Sequence, residues 1–128
     1  MSANNESIRI LTVDDHKMFR EGLAMVLATQ PDMHLVAQAT NGREAIQQFR
    51  QHHPDITLMD LQMPEMNGLE AMVAIRKEFP DAKIIILTTY ESDVGNALKL
   101  GARAYLLKTE LDKQLLRTIR TVQAGPGA

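Results

Sequence analysis

Five residues of this sequence have the right types for phosphate and metal chemistry, and each follows an apolar run. Asp14 and Asp15 come after Ile8 to Val13, Asp60 after Ile56-Thr57-Leu58-Met59, Thr88 after Ile84 to Leu87, and Lys108 after Tyr105 to Leu107. Past Asp60 the chain reads Leu-Gln-Met-Pro, and proline cannot continue a central strand. A carboxylate is therefore presented at a strand tip. Three carboxylates in one crevice repel and raise each other's pKa unless a cation holds them ionised. The chain has no cysteine and no histidine pair at ligand spacing, so its donors are oxygens and a hard ion is expected, Mg²⁺ above all. Mg²⁺ keeps several waters and commonly binds through one or two carboxylates together with a phosphate. Lys108 would add a positive charge and Thr88 a hydroxyl donor around the equatorial oxygens of a phosphoryl group. Asp60 is then the candidate nucleophile for an aspartyl phosphate.

That chemistry needs elements that deliver all five residues to one edge. Ile8 to Val13 reads as a buried strand, and Phe19, Leu23, Val26 and Leu27 recur on one helix face that stops at Gln30-Pro31-Asp32. A weak strand over 34–39 runs into the turn dipeptide Asn41-Gly42, and Ala45, Ile46 and Phe49 mark a short helix closed by Pro54. A strand over 55–59 leads to Gly68, after which Leu69, Met72, Ile75 and Phe79 give a third helix stopped by Pro80-Asp81. The most apolar strand, 84–87, is followed by a polar link over 90–93, a brief helix around 97–100 capped by Gly101, and a last strand over 105–107. Leu115, Leu116, Ile119 and Val122 define the final helix. Five strands alternating with five helices predict an α/β fold, a parallel sheet covered on both faces. In such sheets ligands bind at the carboxyl ends of the strands. Asp14, Asp15, Asp60, Thr88 and Lys108 belong to that end, whereas Asp55 and Asp81 fall at the opposite end as turn residues.

With 128 residues, 45% hydrophobic and 23% charged, the chain predicts one domain with one real core. No apolar stretch approaches a membrane span, and the N-terminus lacks the basic start and apolar core of a signal peptide, so a soluble, cytoplasmic protein is expected. The net charge is −2 and the 14 basic residues are scattered, which argues against direct nucleic-acid or membrane binding by this chain. Singly, several residues read more simply. Asp14 and Asp15 read equally as N-cap and first-turn acids, Thr88 as a strand residue, Lys108 as a solvated charge and Tyr105 as a strand aromatic. The eight methionines, including Met59 and Met72, read mostly as adaptable core filler. His52-His53 reads as a solvated turn, and His16 as a neighbour of the acids, not a ligand.

The runs Val13-Asp14-Asp15-His16, Leu58-Met59-Asp60-Leu61-Gln62-Met63-Pro64, Asn67-Gly68, Leu87-Thr88-Thr89 and Tyr105-Leu106-Leu107-Lys108, in that order, resemble the receiver domain of two-component response regulators. Asp-Asp-His, Phe19-Arg20-Glu21-Gly22-Leu23 and Asn41-Gly42-Arg43-Glu44-Ala45 are similar to the NarL/LuxR-type transcriptional regulators. The resemblance implies a flavodoxin-like, CheY-like fold with strand order 2-1-3-4-5. It spans residues 8–123, with a disordered tail over 1–7, an interdomain linker from 124, and a helix-turn-helix DNA-binding domain beyond it in a longer chain. It implies a signalling switch, not an enzyme acting on outside substrates. Asp60 would take a phosphoryl group from a sensor histidine kinase, and Mg²⁺ would be held by Asp15, Asp60 and the main-chain carbonyl of Gln62, with Asp14 acting mainly through metal-bound water. Lys108 and Thr88 would contact phosphoryl oxygens, Thr88 and Tyr105 would move as the switch, and Gln62 and Tyr90 would tune hydrolysis. Homodimers on phosphorylation would follow.

Rival readings lack residues they need. A haloacid-dehalogenase-type hydrolase wants an aspartate two residues after the nucleophile, where this chain has Gln62. A flavodoxin-like FMN binder wants a hydroxyl- and glycine-rich loop after the first strand, where two acids stand instead. The intact Asp60, Thr88 and Lys108 argue against a degenerate receiver serving only as an interaction module. Two departures from most receivers stand out. The stretch from Thr88 to Gly101 is shorter by about half a helical turn, and Lys108 is followed by Thr109 instead of proline, so a cis bond there would be costly.

Overall fold

A computed structural model describes residues 7–63 and 65–125. The expected tail over 1–7 lies outside these residues except for Ser7. Five strands, β1 (Ile8–Val13), β2 (Met33–Ala39), β3 (Ile56–Asp60), β4 (Ile84–Thr88) and β5 (Ala104–Leu107), alternate with five helices, α1 (Lys17–Ala28), α2 (Gly42–His52), α3 (Gly68–Glu78), α4 (Val94–Lys99) and α5 (Leu111–Ala124). The strands form one sheet in the order β2-β1-β3-β4-β5, every pair parallel. The expected class and strand order are therefore observed.

Alternation along each strand feeds two cores. Leu11, Val13, Met59, Ile84 and Ile86 face α2, α3 and α4, whose Phe49, Met72, Ile75 and Ala97 close over them. Ile10, Ile56, Leu58, Ile85 and Leu87 face α1 and α5, which contribute Leu23, Leu27, Leu115 and Ile119. Strands β3 and β4 are buried at every position, as central strands of a doubly covered sheet must be. Edge strand β2 is mostly half-exposed.

Local chemistry sets the helix starts. Asn67 accepts the Glu70 N–H at 2.9 Å while the Glu70 carboxylate accepts the Asn67 N–H at 3.0 Å, a reciprocal cap on α3. Asn41 likewise accepts the Glu44 N–H at 2.9 Å, so Asn41-Gly42, expected as a turn, is in fact the start of α2. The carbonyl that would end α4 freely is met by Arg76 of α3, 3.5 Å from the Leu100 oxygen. Gly101 follows at φ +117°, and a side chain there would overlap the Arg76 guanidinium.

Several expectations shift in detail. Val26 flanks the Leu23–Leu27 stripe and is 41% exposed, since a residue three after Leu23 points to the edge of the buried face. Met59 and Met72 are buried as expected, but Met18 and Met25 are exposed. His53 ends α2 in the left-handed region at φ 46°, its ring edge-on to Phe79 at 5.3 Å, so this turn histidine packs on an aromatic pair although it stays exposed. Helix α4 begins at Val94 after a 3-10 turn over Glu91–Asp93, and it is only six residues long. Helix α5 runs through Ala124, one residue into the stretch expected as linker. No described helix is long and apolar enough to cross a membrane, and no described peptide bond is cis.

Candidate functional site

Strand register brings the chemistry together. Val13 pairs with Met59, Asp60 with Leu87, and Thr88 with Leu107, so Asp14, Asp60, Thr88 and Lys108 emerge side by side where the strands end. Backbone bonds continue the ladder into the loops. The Asp14 N–H donates to the Ala39 oxygen at 3.0 Å and the Leu61 N–H to the Leu87 oxygen at 3.2 Å. The Gly68 N–H donates to the Leu61 oxygen at 3.1 Å, and a side chain on Gly68 would overlap the main-chain oxygen of Asp60. Only glycine lets α3 start this close to the strand tip.

Asp14 is fully buried. Its Oδ1 accepts the His16 N–H at 2.7 Å and its Oδ2 accepts from Lys108 Nζ at 2.9 Å. This does not make it an N-cap, because α1 begins after His16 and has no acid in its first turn. Asp60 is 1% exposed; Lys108 Nζ lies 3.3 Å from its Oδ1, which also accepts the Gln62 N–H at 3.3 Å. Asp60 Oδ2 is buried with no hydrogen-bond partner among the described residues. Asp15 is more open, and its Oδ1 lies 3.2 Å from His16 Nδ1. Asp14, Asp15, His16 and Asp60 each offer a ligand atom, all within 4.8 Å of one another.

Burial pushes the Asp60 carboxyl up to about 6, and the negative charge of Asp14 pushes the same way, against the pull of Lys108 and the Gln62 N–H. A buried carboxylate with one oxygen unpartnered, beside two more acids and one ammonium, is a site short of positive charge. An oxygen-seeking divalent cation fits it: the acids supply hard donors, and the Asp60 oxygen supplies a ligand that no described residue uses.

The other expected residues sit around this cluster in different ways. Thr88 is buried at the same edge, but its hydroxyl is engaged by the backbone of Tyr90, accepting its N–H at 3.1 Å and donating to its oxygen at 3.3 Å. The Gln62 side chain is exposed, and the residue reaches Asp60 through its main-chain N–H. Tyr105 is partly buried against the core under α4 and stands in register with Ile86. Tyr90 is 58% exposed at the rim. Two contacts were not foreseen. Arg20 donates to the main-chain oxygen of Asp14 at 2.7 Å, and the Lys108 ammonium lies over the Phe19 ring, 4.4 Å from its centroid. Both residues read as ordinary helix positions; the signals that single them out are their place one turn beyond the paired acids and their membership of the Phe19-Arg20-Glu21-Gly22-Leu23 run.

The response regulator receiver domain family matches residues 10–120, nearly the whole chain. The chain belongs to the response regulator receiver family. Among curated relatives, this receiver is 43% identical over 121 residues to the oxygen regulatory protein NreC of Staphylococcus haemolyticus (strain JCSC1435), covering 92% of this chain and 56% of that protein. It is 37% identical over 124 residues to the transcriptional regulatory protein DegU of Brevibacillus brevis, covering 95% of this chain and 52% of the other. The chain thus spans about half the length of the curated relatives it matches. A crystal structure of a LuxR-family two-component response regulator from Aurantimonas sp. SI85-9A1 superimposes with a TM-score of 0.90 at 34% identity, covering 94% of this receiver and 87% of that chain.

Proposed function

We propose that this receiver takes a phosphoryl group on Asp60 from a phosphohistidine of a sensor kinase, in the cytoplasm, and thereby controls a DNA-binding domain C-terminal to it in transcription regulation. The observation that carries the reading is the buried, unpartnered Oδ2 of Asp60, set beside Asp14 and Lys108. In the transfer an Asp60 oxygen attacks phosphorus, the phosphorus–nitrogen bond breaks, and the imidazole nitrogen keeps the bonding pair. The product is an acyl phosphate on Asp60.

Asp15, Asp60 and the Gln62 carbonyl are the residues to hold Mg²⁺ directly, with Asp14 acting mainly through metal-bound water. When bound, the ion neutralises charge on the phosphoryl oxygens. Lys108, now shared between Asp14 and Asp60, exchanges the Asp60 oxygen for a phosphoryl oxygen. Thr88 leaves the Tyr90 backbone to donate to another, and that exchange draws the loop after β4 inward. Tyr105 then turns into the vacated space beneath α4. A new charge thus biases a two-state element, altering the surface formed by α4, β5 and α5 and favouring a homodimer. Helix α4 contributes only six residues to this surface and is anchored by Val94 and Ala97. Gln62 and Tyr90, exposed at the rim, set how readily water reaches the acyl phosphate. Residues 8–123 form the receiver unit, with a linker following.

Incubation with Mg²⁺ and acetyl phosphate, followed by intact mass, tests the reading. One phosphoryl adduct is expected, lost in Asp60→Asn and on chelation of Mg²⁺; no adduct, or one on another residue, refutes it.

A further inference from the structure

We propose that Phe19 is a positioning residue for phosphoryl transfer: its ring face holds the Lys108 ammonium where Asp14 and Asp60 meet. The inference rests on the reading of Asp60 as phosphoryl acceptor and adds a residue that never touches the phosphoryl group. Lys108 Nζ is 4.4 Å from the Phe19 centroid, within the range of a cation–π contact, while standing 2.9 Å from Asp14 and 3.3 Å from Asp60. Its side chain is 18% exposed, so the contact is largely desolvated.

A lysine side chain has four flexible carbons and an ammonium that binds as a point charge without directional preference of its own. Carboxylates alone fix the distance of that charge, not the approach of the chain. The aromatic face supplies the missing side of the cage. Phe19 can do this because it is itself fixed: it packs against the core under α1 and α5 and lines the apolar groove between these helices with Leu23, Leu111 and Leu115. When Lys108 exchanges an Asp60 oxygen for a phosphoryl oxygen, the ring stays as the constant partner. The ammonium then needs little reorganisation as charge develops.

The test has two arms. In the metal-free, unphosphorylated protein, the ε-methylene protons of Lys108 should be shifted upfield by the ring current relative to the other lysines. That shifted signal should vanish in Lys108→Arg and return to the ordinary lysine position in Phe19→Leu. In the second arm, acetyl phosphate modifies wild type, Phe19→Leu, Phe19→Tyr and Phe19→Trp with Mg²⁺ saturating. The attacking Asp60 oxygen displaces acetate, which leaves with the bonding pair. Phe19→Leu, which keeps the groove apolar, should slow the reaction about 5- to 30-fold, and the aromatic variants should stay within roughly threefold of wild type. Ordinary Lys108 shifts in wild type overturn the proposal, as does a Phe19→Leu rate equal to wild type or an aromatic variant as slow as leucine. A wild-type protein that takes no phosphoryl group would instead refute the reading of Asp60. Normal wild-type modification with unaffected Phe19→Leu refutes Phe19 alone.

Discussion

Replacing Asp60 by asparagine should make the metal-free protein more stable at neutral pH. The carboxyl titrates at about 6 in the fold against an ordinary 3.8, because it is buried and faces Asp14. A raised acid pKa means the folded state holds the proton more tightly than the unfolded state does. Between pH 4 and 6, therefore, the folded chain binds more protons, and stability falls as pH rises through that window. Above it the full cost of ionising Asp60 is present, about 3 kcal/mol for a displacement of this size. Asparagine never ionises and removes that cost. It also weakens one contact of Lys108, which keeps Asp14 at 2.9 Å, so a net gain of about 2 kcal/mol is expected. The assay is urea unfolding of wild type and Asp60→Asn with chelator, at roughly pH 7.5 and pH 4. The gain should be large at the higher pH and close to zero at the lower. Saturating Mg²⁺ should close the gap at the higher pH by stabilising wild type more than the variant. A variant no more stable than wild type at neutral pH, or a gain of the same size in acid, refutes the reasoning.

Two further substitutions test the frame around the site. Gly68→Ala would place a methyl group against the Asp60 main-chain oxygen, so unfolding experiments should show a loss of about 2 kcal/mol or more, with weakened Mg²⁺ binding as the strand tip shifts. Glu65 holds φ 68° in the loop after Asp60, a region that costs a side chain about 1–2 kcal/mol. Glu65→Gly should therefore raise the thermal midpoint, by an amount equivalent to about 0.5–1 kcal/mol once the entropy of glycine is set against the relief.

The order of elements and the main site residues were legible in the sequence because both depend on short-range pattern. Short, nearly continuous apolar runs ending in Asp14, Asp60, Thr88 and Lys108 already state that these groups stand at strand ends, and parallel strands must end at the same edge. The Asn67-Gly68 start of α3 and the Leu115, Ile119, Val122 stripe of α5 are equally local signals. Less legible were positions whose role depends on what lies across a gap. Val26 fits the helix period of α1 but lies at the edge of its buried face, and Asn41-Gly42 has turn chemistry yet opens a helix, since the same asparagine oxygen serves an N-cap.

By itself, then, the sequence determined that acids, a hydroxyl and an ammonium would line one edge of a parallel sheet, because strand polarity and residue alternation follow from the chain's own pattern. Only the tertiary structure decided how they are paired there. It gave Lys108 to both Asp14 and Asp60, turned the Thr88 hydroxyl to the Tyr90 backbone, laid Lys108 on the Phe19 ring and left one Asp60 oxygen without a partner among the described residues. Those assignments join residues up to 94 positions apart. They depend on the few ångströms set by strand register and helix packing, and short-range pattern does not carry distances of that kind.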